Sequence, residues 1–167
     1  YRLHGDLMQE PVEGRVGVAL AGRIHLQEAQ VVLDPASLVE LYSPVGMTTT
    51  GRMVLHVESL ELQDGFPGHL SGQLLWSDAG VTAPVSLVLG EVRVQLGSEA
   101  DRITGEVSNT GDTRVSGSLG LSAAHDYSVD LQLTPGRATS VEVVEFLKSW
   151  GQPGPGGSYR LADSGRL

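Results

Sequence analysis

Trp76, Ser77 and Asp78 close the alternating stretch "HLSGQLLWSDAG" and set an indole, a hydroxyl and a carboxylate side by side. Such a trio has the residue types of an active-site rim. Its parity argues otherwise. Trp76 falls in phase with Leu70, Gly72 and Leu74, so its ring belongs on the apolar face of a strand. An indole at a strand end commonly closes a core. Ser77 and Asp78 then read as the turn that follows, and the trio reads as structural.

Other candidate chemistry thins out in the same way. The five histidines are His4, His25, His56, His69 and His125. None is paired at helical spacing, and His25, His56 and His69 sit on the polar parity of strands. A metal site is not expected. The G-x-S-x-G elbow of a serine hydrolase is absent. Glu58 with Glu61, and Glu142 with Glu145, are close enough in sequence to suggest paired-carboxylate chemistry. The first pair reads as a strand edge and the second as a solvated helix face. "GQPGPGG" is rich in glycine but lacks the Lys-Ser/Thr end of a phosphate loop, and its prolines remove backbone donors. The chain has no cysteine, which removes thiolate nucleophiles, disulfides and cysteine zinc sites together. No enzyme, cofactor or metal centre is expected.

The composition narrows the partners. A formal charge of −9 and eleven scattered basic residues offer no cluster for a phosphate backbone. Nucleic acid is therefore excluded as the expected partner, and simple attraction to anionic lipid is disfavoured. No apolar run approaches the roughly 20 residues of a membrane helix. At 167 residues the chain fits one domain, 1–167, with its core built from Val, Leu, Ile and Ala because aromatics make up only 5%. It begins in strand-like alternation, which reads as a piece lacking its amino-terminal part.

Period-two patterning carries nearly the whole chain. It is visible in 15–33, 52–62, 69–77, 83–97, 102–109, 113–123, 127–134 and a last short strand, "SYRLA". In "APVSLVLGEVRVQLG" the apolar phase switches between Leu89 and Val92, with Gly90 at the switch, and a bulge there would restore one core-facing set. Two short helices are expected. One opens at Asp34-Pro35. The other is "TSVEVVEFLKSWG", with Thr139 and Glu142 as a capping box. Its stripe is Val141, Val144 and Leu147, widened by Val143, Phe146 and Trp150. Glycines inside strands (Gly72, Gly90, Gly105, Gly117, Gly120) permit bending and close backbone approach. The expected fold is mainly β: a strongly twisted or curved antiparallel sheet, open or partly closed like a barrel, with two short α-helices. Gly72, Trp76, Gly90, Gly117 and Trp150 are its expected structural positions.

Leu70-x-Gly72-x-Leu74-x-Trp76-x-x-Ala79 resembles a recurring segment of the type II secretion system protein N family. Further features keep the family's order: "DGFPG" before that strand, Leu89-Gly90, Asn109-Thr110-Gly111 before Val115-x-Gly117-x-Leu119, and His125-Asp126-Tyr127. The Leu147-containing helix, Tyr159-Arg160-Leu161 and Gly165-Arg166-Leu167 complete it. The resemblance covers most of 15–167. It implies a non-enzymatic accessory subunit of the Gram-negative machine that exports folded proteins. Such a subunit is anchored in the inner membrane with its bulk in the periplasm. Implied neighbours are the platform subunits C, L and M, and the secretin. A second reading comes from the alternation itself: a curved sheet whose apolar face stayed uncovered would hold acyl chains, as periplasmic lipid-bridge troughs do.

Overall fold

A computed structural model describes residues 13–18, 24–36, 48–63 and 66–166. The strands are β1 (Glu13–Val18), β2 (Ile24–Leu33), β3 (Thr48–Gln63), β4 (Phe66–Ala83) and β5 (Leu87–Glu99). They continue as β6 (Arg102–Asn109), β7 (Arg114–Ser122), β8 (Asp126–Thr134), β9 (Gln152–Pro153) and β10 (Tyr159–Arg166). One α-helix, α1 (Val141–Trp150), lies between β8 and β9.

All ten strands form one sheet in the order β1-β2-β3-β4-β5-β6-β7-β8-β10-β9, and every pairing is antiparallel. From β4 to β8 short turns join strand to strand, as period-two runs with polar breaks dictate. The connection from β8 to β10 then carries α1, β9 and a 3₁₀ turn over Pro155–Gly157. β1 and β9, at the two ends of the order, do not pair, so among the described residues the sheet is open rather than closed.

The alternation sets two faces. Across β4 to β10 the inner ladder runs Leu74, Val94, Val107, Gly117, Leu131, Leu161. Its counterpart on the outer face runs Gln73, Gln95, Glu106, Ser118, Asp130, Ala162. Gly90 takes a left-handed φ of 72°, and β4 carries a bulge opposite it between Trp76 and Ala79, with Asp78 at φ 50°. The bulge brings Leu89 and Val92 into one core despite their opposite parity. Any side chain at Gly90 would crowd Thr110 and Gly111. Gly72 lies against the backbone of His56, and Gly117 against that of Asp130 and Leu131.

Two expectations need correction. Among the described residues there is one α-helix plus the 3₁₀ turn, not two α-helices. The helix expected from Asp34 is described only to Ala36, where the Asp34 carboxylate accepts the Ala36 N–H at 3.1 Å. Its remainder, like the Asp64-Gly65 turn and His4, lies outside the described residues. In α1 the N-cap is Ser140, whose hydroxyl accepts the Val143 N–H at 3.3 Å, not Thr139. The buried stripe is Val143 and Leu147, while Val141 is 72% and Trp150 49% exposed. Trp150 instead stacks on Phe146 with ring centroids 5.2 Å apart.

The misplaced cap has a cause. The Thr139 hydroxyl donates to Asp112 Oδ2, accepts the Gly136 N–H and meets the Thr113 hydroxyl at 2.8 Å. Asp112 also accepts the Ala138 N–H at 2.8 Å. Asn109 locks the turn beneath: its amide donates to the carbonyls of Leu89 and Thr113, and its carbonyl oxygen accepts the Val115 N–H, each at 2.8 Å. The β6–β7 turn is thereby tied to the helix start, and α1 is held over one end of the inner face.

Candidate functional site

Among the described residues, those with catalytic types do not converge. Trp76 is half-buried, and its indole N–H donates to the Thr50 carbonyl at 2.8 Å, bridging β4 to β3. Asp78 is exposed in the bulge. Glu58 accepts the Ser71 hydroxyl at 2.6 Å, and Glu145 pairs with Lys148 at 2.5 Å. His25 faces Glu61 across β2 and β3 at 3.3 Å, both exposed. Among the described residues no three His, Asp or Glu side chains group as metal ligands.

What the fold does present is one apolar face with two unlike ends. Under α1, Val92, Val94, Val107, Val115 and Leu133 pack with Val143 and Leu147 into the buried core. Further along the same strands, no helix among the described residues lies over the face. Leu96, Gly105, Leu119, Val129 and Asp163 form one row, and Ile103, Leu121, Tyr127 and Gly165 the next. All but Gly165 line an open trough of about 550 Å³. Its aliphatic residues are only partly buried.

The rim is polar where β8 meets β10. The Tyr127 phenol lies along Gly165 and donates to Asp163 Oδ2 at 2.9 Å. That hydrogen bond, with the carboxylate's negative charge, raises the phenol above the usual tyrosine range. On the opposite face Arg160 grips Asp130 with two hydrogen bonds of 2.7 and 2.6 Å. This pairing lowers the Asp130 carboxyl below its usual range and raises the Arg160 guanidinium.

The second feature is an edge. β10 pairs with β8 along its whole length, but on its other side β9 meets only Tyr159 and Arg160. Among the described residues, no strand pairs with the outer edge from Leu161 to Arg166. The sequence reading ended this strand at Ala162. Asp163 and Gly165 are residue types that strands disfavour, and their ladder with Val129 and Tyr127 keeps them extended.

No curated protein and no solved structure gives a significant match to this chain. One family does match, described as Type II secretion system (T2SS), protein N, over residues 2–162. That span includes the segment from Leu70 to Ala79, the helix and the first four residues of β10. The chain belongs to the type II secretion system protein N family.

Proposed function

We propose that this protein is a non-catalytic accessory subunit of the type II secretion machinery. It works in the periplasm, held at the inner membrane, and contributes protein–protein contacts to the platform formed by subunits C, L and M, with the secretin as a further neighbour. The observation that carries this reading is the outer edge of β10. Six residues, Leu161 to Arg166, present backbone donors and acceptors that β9 does not cover. An exposed edge accepts a strand from a partner through main-chain hydrogen bonds. The scattered charges offer no alternative basic dock.

The test places charge on that edge. Ala162 and Ser164 are exposed, so A162K/S164K should change stability by only about 0.5 kcal/mol or less. Cross-linking in cells with an intact machine, read by mass spectrometry, should recover platform subunits with the parent chain and lose them with the double variant. Cross-links that persist unchanged, or that map to α1 alone, would overturn edge pairing.

A further inference from the structure

The trough has dimensions, lining and a rim that together specify a ligand. We propose that the uncovered end of the inner face binds one acyl chain of a phospholipid with a primary-ammonium head group, laid across β5 to β10 with its head at Tyr127 and Asp163.

Length is the first argument. The row from Leu96 to Asp163 crosses five strands. Four inter-strand steps of about 4.8 Å give a floor about 19 Å long. One leaflet of a bilayer, half of a hydrocarbon core about 30 Å thick, gives an acyl chain about 15 Å. The volume, about 550 Å³, lies in the range of small-molecule sites.

The lining is the second argument. Leu96, Ile103, Leu119, Leu121 and Val129 supply aliphatic walls, and the buried Gly105 lies beneath Leu96 and Leu119. Tyr127, at the rim, is the one aromatic residue in the lining. Protein hot spots favour Trp, Tyr and Arg anchors in deep pockets, and this surface is a smooth hydrocarbon channel instead.

Charge at the rim is the third. Asp163 is exposed and its carboxylate stands at the β10 end of the channel. Arg102 and Arg166 belong to the outer parity, and Arg102 is engaged across Gly120 with the Ser128 hydroxyl. A carboxylate on a chain of net charge −9 repels an anionic head and attracts an ammonium. This assignment does not rest on the edge contact proposed above.

The test uses residues 1–167 and two single-chain probes, myristoyl lysophosphatidylethanolamine and myristoyl lysophosphatidylglycerol, titrated below micelle formation. Methyl NMR reads the site. The ethanolamine lipid should shift Leu96, Leu119, Leu121 and Val129 and spare Val143 and Leu147, with a dissociation constant on the order of 0.1 mM. L121E should weaken it roughly tenfold or more. D163K changes an exposed residue and should reverse the preference in favour of the glycerol lipid, which keeps the test open if L121E fails to fold. Three outcomes would overturn the proposal. One is no saturable shift with either lipid. Another is equal binding of both that D163K leaves unchanged. The last is concentration-dependent self-association through the same methyls without lipid, which would make a second copy the occupant.

Discussion

The two ends of the inner face are built from the same strands and the same aliphatic residues, yet one is core and the other is surface. Val94 is buried while Leu96, two positions on along β5, is only partly so, and on β8 Leu133 is buried while Val129 is only partly so. The difference lies in what crosses above them. α1 covers the first end because the Asn109–Thr113 turn holds its start, through Asp112, Thr113 and Thr139. At ten residues it is about 15 Å long and cannot cover the whole width of the face. A hydrophobic pattern names the face that avoids water. The element laid across it decides whether that avoidance stabilises the fold or leaves a surface for something else.

The sharpest way to break this contrast is a pair of truncations. Leu147 is 1% exposed beneath α1, so Leu147→Ala should cost about 2–5 kcal/mol. Leu121→Ala, at the open end, should cost about 1 kcal/mol or less. Urea unfolding of both variants measures the difference. Equal costs would mean that the open end is closed in solution.

Much of this contrast was half legible in the sequence. Alternation placed Val94, Leu96, Val107 and Leu119 on one face, and the phase change at Gly90 pointed to the bulge that unites Leu89 with Val92. Parity also put Trp76 with Leu74 on the apolar side, where its ring packs against the core. The trough itself left no periodic signal, because period two does not report coverage. The cap was misread for a similar reason. Thr139 and Ser140 are both capping types, and the choice between them is made by Asp112 and Thr113, more than twenty residues upstream and reached only through the fold. Trp150 fits the apolar stripe by type, but it lies at the last turn, where the sheet no longer faces it. β10 was read too short because the ladder with β8 outweighs the turn preference of Asp163, Ser164 and Gly165.

A smaller perturbation tests how the covered end is held. Ser140→Ala removes the acceptor for the Val143 N–H and should lower stability by about 1 kcal/mol. Circular dichroism with thermal unfolding reads it, and no change would return the cap to Thr139. The smallest effect expected is a titration on the face opposite the trough. In the parent, the Asp130 carboxyl should titrate below the usual range because Arg160 holds its charged form, and in Arg160→Leu it should return to that range. A depressed folded value contributes stability above the unfolded carboxylate range and loses it as pH falls through the folded value. The parent-to-variant gap should therefore shrink on acidification. Carboxyl-carbon NMR follows the titration, and an Asp130 unaffected by the loss of Arg160 would remove the cause assigned here.

The neighbour-to-neighbour strand order has a consequence for how the chain assembles. From β1 to β8 each strand pairs with the next in sequence, and only β10 must reach past α1 and β9 to find its place. Most loops therefore close over short distances, and ordering can spread strand by strand, much as in a repeat array. The helix-packed core draws on residues from Leu74 to Leu161 and includes none from β1 to β3. The amino-terminal strands bury a set of their own, Ala29, Val31, Val32, Met53 and Val57, so the sheet carries two cores joined along the β3–β4 ladder.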